Sequence, residues 1–350
     1  MIKILHSGDW HLDSPLQGRT EAQASLLRRE LLSIPGKLAM LCQREGCDLV
    51  LLSGDLFDGV YTQATYRTVY DALERMEVPV FISPGNHDFI SPDSPYEKEI
   101  WPENVHIFKK QQVQWVDVPH LGLRVYGAGF QSMDCESLLD DVRAEGFAVG
   151  VFHGDPTQVN SPYNPVTKAQ VAASGLAYLA LGHVHKGEAF RAGETLCAWP
   201  GCPMGRGWDE QGEKGALIVS IEDTARMRFV SLNAPQFHDL SVDVSANIGS
   251  VLPAVANEDF YRITLTGEAQ KPDLEAIRAE FAAFSNLELR DETVTPVDIW
   301  AGAGEDSFEG VYFGMLKAAL EQAEGEEKEK ILLAAKLSCQ LLEGQEVALP

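Results

Sequence analysis

The stretch IKILHSGDWH (2–11) decides the fold of this 350-residue chain: a short apolar run stops at a small-residue loop that carries Asp and His. The pattern recurs as DLVLLSGD (48–55), VPVFISPGNHD (78–88), FAVGVFHGD (147–155) and LAYLALGHVH (176–185). Buried parallel strands read as continuous apolar runs, and ligands of open α/β folds bind where the carboxyl ends of such strands emerge. The sequence therefore predicts one site, built from five segments, whose residue types are those of metal ligands.

The composition bounds the class of protein. Two or more domains are expected from 350 residues, and no stretch reaches the roughly 18 apolar residues of a membrane span. The chain starts with a strand pattern, MIKILH, rather than a secretory signal. The six cysteines are scattered and are interpreted as reduced cytosolic thiols. A cytoplasmic location without a membrane partner is predicted.

The net charge of −24 opposes unaided binding to nucleic acid, because affinity for the phosphate backbone comes mainly from Lys and Arg. Residues 1–240 hold 20 basic against 31 acidic side chains, and residues 241–350 hold 8 against 21. The smaller C-terminal part is thus the more acidic. Metal cations or a basic partner would offset this charge.

Residues 1–240 alternate strand and helix patterns. Amphipathic helices near 21–45 and over 62–76 alternate with a first strand at MIKILH and with strands at 48–53 and 78–83. This βαβαβ order implies a parallel sheet with helices on its faces.

Three further segments complete this domain. Helices are predicted near 135–144 and near 166–173, before the fifth apolar run. The strand-rich segment 188–240 is expected to form a second sheet that carries the later ligands.

The C-terminal 110 residues predict two smaller parts. A boundary near 240 separates residues 1–240 from a cap, 241–300, in which two strands flank a helix over 272–284. The segment 301–350 predicts a helical hairpin, because Ser307 can cap a helix and apolar residues follow at i, i+3, i+4 and i+7. Its apolar stripe either packs on the cap or binds a partner.

The residues at the loop mouths form a set that suits two metal ions. In extended chain, residues two apart point to the same side, so Asp9 and His11 can reach one ion, as can His183 and His185. Asp55 has two oxygens and can bridge two cations. Nitrogen and oxygen ligands without thiolate suit Mn, Fe or Zn, and the sequence does not choose among them.

The third and fourth runs complete this set. Asn86 supplies a neutral oxygen and His153 a nitrogen, which makes seven candidate ligands. Two ions can clamp the attacking and leaving oxygens of a phosphate ester, and the pKa of a bound water falls to about 7. His87 is free to protonate the leaving oxygen or to stabilise transition-state charge, and Asp88 would orient its imidazole.

The motifs GDWHLD, GDLFD, GNHD, HGD and GHVH, in this order, resemble those of the calcineurin-like metallophosphoesterase superfamily over roughly residues 1–240. Within it, GDWHLDSPLQG, WPGCPMGRGW and EKGALIVSI are similar to bacterial DNA-repair exonucleases of the SbcD and YhaO type. The resemblance implies a metallophosphoesterase sandwich: an α/β fold of two packed mixed β-sheets flanked by helices, with a small α+β cap and a C-terminal helical hairpin.

The resemblance also implies an assignment of the ligands to two divalent metal ions, with Mn²⁺ as the metal. One ion would be bound by Asp9, His11, Asp55 and His185. The other would be bound by Asp55, Asn86, His153 and His183. His87 would be the acid or transition-state residue, supported by Asp88. The implied partners are DNA, a coiled-coil ABC-type ATPase and a second copy of the chain in a homodimer.

Three functions remain open at this point. The first is a metal-dependent DNA exonuclease or endonuclease in DNA repair, for which Arg19, Lys186 and Arg206 are either phosphate contacts or solvated surface charges. The second is a phosphatase or cyclic phosphodiesterase acting on small molecules or phosphoproteins. The third is a non-catalytic protein that scaffolds an ATPase through the 307–343 hairpin. The complete ligand set favours an enzyme, and the C-terminal extension favours the nuclease.

Overall fold

The computed structural model describes residues 1–296 and 298–342. The strands, numbered β1 to β15 in chain order, are Ile2–Ser7, Leu49–Leu52, Val80–Ile82, Val105–Ile107, Gln114–Val118, Leu123–Gly127, Ala148–His153, Tyr178–Gly182, Lys186–Ala192, Thr195–Gly201, Gly215–Ile221, Ala225–Ser231, Phe237–Asp243, Phe260–Thr266 and Leu287–Asp291. The α-helices, α1 to α7, are Glu21–Glu45, Gln63–Glu74, Pro95–Lys98, Lys168–Ser174, Leu274–Glu280, Phe308–Gln322 and Gly325–Leu342. One compact unit comprises Met1–Leu240, Pro253–Ile263 and Arg278–Leu289, and a second holds the remaining described residues.

Two six-stranded mixed sheets form the first unit, as predicted. The first has the order β12-β11-β1-β2-β3-β4, in which β1 to β4 are parallel, β11 is antiparallel to β1, and β12 is antiparallel to β11. The second has the order β5-β6-β7-β8-β10-β9, with antiparallel strands at both edges. The parallel centre of each sheet ends at the loops that carry the candidate ligands.

Side chains that alternate along the central strands supply two separate cores. Leu51 on β2 belongs to the same buried cluster as Val149 on β7, which lies in the other sheet. Its neighbour Val50 points the opposite way and belongs to a cluster with Leu31 of α1. Successive residues of a strand face opposite sides of the sheet, so one face packs on the partner sheet and the other on helices. The predicted α/β fold of two packed sheets flanked by helices is confirmed.

The prediction that 188–240 forms a second sheet is wrong in part. β9 and β10 join the second sheet, but β11 and β12 extend the first. β11 lies antiparallel to β1, with Val219 opposite Ile4. An apolar run predicts a buried strand but carries no information on which strand lies beside it.

The helix predicted near 135–144 is also wrong, since only a single 3₁₀ turn forms there, at Leu139–Asp141. The Cys135 amide donates to the Pro162 carbonyl (2.8 Å) and the Leu138 amide to Asn164 Oδ1 (2.8 Å). These bonds to a distant loop occupy backbone groups that a helix would use, so tertiary contacts override the local pattern.

The C-terminal region follows the sequence prediction in part: β14, α5 and β15 supply the predicted strand–helix–strand unit, whereas β13 was not predicted. β13, β14 and β15 form a three-stranded sheet, and α5 is shorter than the predicted 272–284. The Ser307 hydroxyl accepts from the Gly310 amide (2.9 Å) and so caps α6, as expected. Residues 343–350 of the predicted hairpin lie outside the described residues, and the division at 240 and 300 stays a prediction. Among the described helices, none combines the length and apolarity needed to cross a bilayer.

Candidate metal centre

The structure brings all seven predicted ligands together at the carboxyl ends of the central strands. Ligand atoms of Asp9, His11 and His185 lie within 4.8 Å of one another, as do those of Asp9, Asp55 and His153. Asn86 and His183 join the second group, because Asn86 Oδ1 lies 2.9 Å from His153 Nε2 and 3.2 Å from His183 Nδ1.

Two histidines face each other in the first group. His11 Nε2 lies 3.0 Å from His185 Nε2. The other ring nitrogens face carboxylates: His11 Nδ1 lies 3.3 Å from Asp58 Oδ1, and His185 Nδ1 lies 2.6 Å from Glu210 Oε1. A carboxylate fixes the single N–H of a neutral ring on the nitrogen that faces it. Two Nε2 lone pairs therefore point at the same place, which fits a cation between them.

The second group shows the same crowding of acceptors. His153 Nδ1 donates to the Ser53 carbonyl (2.8 Å), which leaves Nε2 without a proton. This Nε2 faces Asn86 Oδ1 and lies 3.4 Å from Asp55 Oδ2. These three atoms can each act as an acceptor and they converge on one place, so this place also fits a metal ion.

Two buried carboxylates also favour the binding of cations at this site. Asp9 is fully buried, and its Oδ2 has no hydrogen-bond partner among the described residues. Burial raises the pKa of Asp9, and burial together with the neighbouring Asp88 carboxylate raises the pKa of Asp55. A carboxylate held away from water is costly unless a cation is beside it. The donor set therefore matches two divalent ions.

Burial keeps two of the histidine ligands, His11 and His183, neutral. It lowers the pKa of His11 and of His183 to about 3 in each case. A metal ion binds the unprotonated imidazole nitrogen, so this shift keeps the ligand atoms available at neutral pH.

The loops that hold these residues are strained. Four candidate ligands have backbones in the left-handed region: Asp9 (φ 52°), His11 (φ 47°), Asp55 (φ 51°) and His183 (φ 102°). Each such residue costs roughly 1–3 kcal/mol, and strain of this kind clusters at functional sites. Gly85 allows the close packing, because a Cβ there would overlap Asp55 Oδ1 and the His153 ring.

His87 lies at the edge of this cluster with its side chain 43% exposed. Its Nδ1 is 2.6 Å from Asp58 Oδ1, and this hydrogen bond raises the pKa of His87. Asp58 also faces His11, so His11, Asp58 and His87 form a third group of possible ligand atoms. The carboxylate that orients His87 is thus that of Asp58, which the sequence analysis did not assign.

Asp88 has different partners from those expected. Its buried carboxylate accepts from the amides of Leu56 (2.7 Å) and Gly85 (2.8 Å) and from the Tyr96 hydroxyl (2.6 Å). It therefore ties the Asp55 and Asn86 loops together, and the expectation that it orients His87 is corrected. Such a role cannot be read from its position next to His87 in the sequence.

Glu210 is the second residue that sequence reasoning missed. Its buried carboxylate accepts from His185 Nδ1 and from Arg206 Nη2 (2.8 Å). Burial raises the pKa of Glu210, but these bonds outweigh it and hold the pKa well below its usual range. No motif spacing links Glu210 to His185, so only its position next to WPGCPMGRGW in the sequence hinted at a role.

The three predicted phosphate contacts separate into two places. Arg206 Nη2 lies 3.3 Å from His185 Nδ1, and Arg19 Nη2 donates to the Arg206 carbonyl (3.3 Å). Lys186 is exposed at the start of β9 and lines another cavity, with Trp199. Arg19 and Arg206 therefore lie together beside the candidate ligands.

Comparison with known proteins identifies the family. Residues 2–187 match the calcineurin-like phosphoesterase family over more than half of the chain, and the chain belongs to this family. Members of the family bind two divalent metals, and membership indicates a metal-dependent phosphoester hydrolase.

Two curated relatives come from Bacillus subtilis. The chain is 29% identical over 240 residues to the uncharacterized metallophosphoesterase YhaO, a match that covers 63% of this chain and 57% of the relative. It is 24% identical over 269 residues to the SbcD component of the nuclease SbcCD, a match that covers 63% of this chain and 66% of the relative. The chain thus spans less than two thirds of the length of either relative.

Two solved structures match the chain at low identity. A dimetal phosphatase from Danio rerio is 12% identical, with a TM-score of 0.44 over 67% of this chain and 97% of that one. TT1561 of Thermus thermophilus is 12% identical, with a TM-score of 0.43 over 66% of this chain and 99% of that one.

Proposed function

We propose that this chain is a dinuclear-metal-dependent phosphodiesterase that cleaves DNA, as an exonuclease or endonuclease in DNA repair. One observation carries the proposal: buried carboxylates and imidazole lone pairs from five separate loops converge, and Asp9 Oδ2 among them has no hydrogen-bond partner among the described residues. An arrangement of this kind is unstable by itself and is balanced by divalent cations.

The ligands divide between two ions. One ion would be held by Asp9, His11, Asp55 and His185, and the other by Asp55, Asn86, His153 and His183. When bound, the two ions, Mn²⁺ in this proposal, would activate a water and neutralise charge on the phosphate.

His87 would act on the leaving group. The hydrogen bond from Nδ1 to Asp58 raises the pKa of His87 and so favours the doubly protonated ring, whose Nε2 can donate a hydrogen bond, and then a proton, to the leaving oxygen. The partly exposed ring is accessible to a substrate, unlike the fully buried His153. Asp88 would act through the backbone, by holding the loops of Asp55 and Asn86 in register.

DNA is the proposed substrate for two reasons. One relative is named as part of the nuclease SbcCD, and the segments around Arg19 and Arg206 lie beside the ligands. The net charge of −24 opposes a strand of phosphates, so the metal ions and these arginines would have to supply the local attraction.

The segment 301–350 is proposed to bind a coiled-coil ABC-type ATPase. On α6, the side chains of Phe308, Val311 and Met315 are exposed and recur at i, i+3 and i+7, which places them on one face. Exposed apolar stripes are typical of interaction surfaces. A homodimer, a cytoplasmic location and the division into 1–240, 241–300 and 301–350 belong to the same proposal.

A manganese-supplemented assay tests the function. The purified protein is incubated with labelled duplex DNA, with labelled single-stranded DNA and with bis(4-nitrophenyl) phosphate, a generic phosphodiester. Cleavage of DNA and of the dye substrate, both lost with a chelator, is expected. Cleavage of the dye alone would favour the small-molecule phosphatase or phosphodiesterase, and no cleavage at all would reject an enzyme.

A further inference from the structure

A cavity of about 790 Å³ lies beside the candidate metal centre, and we propose that it binds a phosphate group of the substrate strand next to the one that is cleaved. Its wall includes Arg19, Arg206, Trp208, Glu210 and Arg262. The inference rests on the proposed function, since it names what the substrate must carry beyond the reacting phosphate.

A short chain of contacts connects this cavity to the metal ligands. Glu210 lies in the cavity wall, and its Oε1 also accepts from His185 Nδ1 (2.6 Å). Arg206 lies in the same wall, with its Nη2 3.3 Å from His185 Nδ1. A strand whose scissile phosphate is at the metal centre would therefore enter the cavity with a neighbouring group.

Arg19, in the wall of the cavity, has an unsatisfied hydrogen-bond donor that suits an anion. Its Nη2 donates to the Arg206 carbonyl (3.3 Å), and its Nε is buried with no hydrogen-bond partner among the described residues. Nearly all buried polar groups of a folded protein have a partner, so an orphaned guanidinium N–H indicates an acceptor that is supplied from outside. Guanidinium groups bind phosphate oxygens in a bidentate way.

Trp208 holds two of the cavity's guanidinium groups. The Arg262 guanidinium carbon lies 4.6 Å and that of Arg19 5.4 Å from the Trp208 ring centroid. Arg19 also lies 5.0 Å from the Phe237 ring. Contacts of this kind fix a planar cation while leaving its edge free for hydrogen bonds. Both cations are thus positioned before any ligand arrives.

The charge of the cavity reverses that of the chain. The lining holds three arginines against two acids, Asp209 and Glu210, in a protein of net charge −24. Glu210 pairs with Arg206, and Asp239 pairs with Arg262, while the carboxylates of Glu288 and Asp209 act electrostatically on Arg19. Volumes of about 300–1,000 Å³ are typical of small-ligand sites, so there is room for a nucleotide around that phosphate. The cavity therefore has the size and the cationic side chains to hold the neighbouring phosphate of a strand together with its nucleoside.

Strand binding by variants of Arg19 tests the inference. The probe is a fluorescent single-stranded oligonucleotide with phosphorothioate linkages, which resist cleavage, and anisotropy is recorded with Mn²⁺ at several salt concentrations. Arg19→Gln is expected to weaken binding about 10-fold and to reduce the slope of log K against log salt by about 0.7. Arg19→Lys, which keeps the charge, is expected to keep the slope and to lose part of the affinity.

The matched control is Arg67→Gln, which makes the same charge change at an exposed position on α2. It is expected to bind as the wild type does. Wild-type binding by Arg19→Gln, an equal loss in Arg67→Gln, or no strand binding by the wild type would overturn the inference. Hydrolysis of bis(4-nitrophenyl) phosphate by the wild type reports on the metal centre separately, so failure of the proposed function is distinguishable.

Discussion

In most proteins apolar side chains are buried and charged side chains are exposed. The candidate metal centre and the C-terminal hairpin depart from this pattern in opposite ways. In the centre, charged and polar side chains are buried: Asp9 is 0%, Asp55 1% and His153 1% exposed. On the hairpin, apolar side chains are exposed: Phe308 is 81% and Met315 70% exposed. Either departure raises the free energy of the isolated chain, which indicates that something else is bound. For the centre we propose cations, and for the hairpin an apolar partner surface.

The largest expected effect comes from a substitution in the candidate metal centre, where polar side chains are buried. Asp55→Ala removes the carboxylate shared by both ions and should lower kcat/KM for bis(4-nitrophenyl) phosphate by about 10³-fold or more, or about 4 kcal/mol of transition-state stabilisation. Asp71→Ala, an exposed acid on α2, is the control and should keep full activity. Activity retained by Asp55→Ala would refute the assignment of the ligands.

His87→Ala separates proton donation from metal binding. It should lower kcat by roughly 10²–10⁴-fold while the metal content stays that of the wild type. Elemental analysis beside the assay checks both. Loss of metal in this variant would place His87 among the ligands, and unchanged kcat would remove it from the reaction.

The variants Asp88→Ala and Asp58→Ala test which of the two carboxylates orients His87. Asp88→Ala leaves the buried amides of Leu56 and Gly85 without an acceptor, so it should lower the free energy of unfolding by about 3 kcal/mol. Asp58→Ala should lower kcat by about 10–100-fold, because His87 loses its orienting carboxylate. Urea unfolding and dye hydrolysis on both variants would show the reverse pattern if Asp88 were the orienting residue.

The smallest expected effect comes from a substitution on the C-terminal hairpin, where apolar side chains are exposed. Phe308→Ser should change the free energy of unfolding by no more than about 0.5 kcal/mol, since its side chain is already in solvent. Phe313→Ser, five residues later on α6 but only 6% exposed, should cost about 3–5 kcal/mol. Equal losses in the two variants, measured by urea unfolding, would show that Phe308 is covered in solution.

The sequence predicted those parts of the site that depend on local order. Each apolar run ends at a loop, and the loops of parallel strands meet at one edge, so Asp9 and His153 could be placed together from the pattern alone. The residues that form hydrogen bonds with the side chains of those loops could not be predicted from the sequence. Asp58 and Glu210 lie beside His11 and His185 only because the chain folds back, and no residue spacing reports that.

Contacts between residues that are distant in the sequence also explain the errors in the predicted fold. α1 is determined by its own apolar stripe, so the helix predicted near 21–45 forms at Glu21–Glu45. β11 was recognised as a strand, but its place beside β1 depends on where residues 202–214 carry the chain. The segment 135–144 has a helical pattern, yet its amides bond to the loop at 162–164 instead.

The metal content of the purified protein tests the central claim most directly. After equilibration with Mn²⁺ and removal of free ions, elemental analysis should find about two ions per chain in the wild type. Asp55→Ala should hold less than one, because both ions lose their shared ligand. A wild-type protein without bound metal, or an Asp55→Ala variant with unchanged content, would contradict the account.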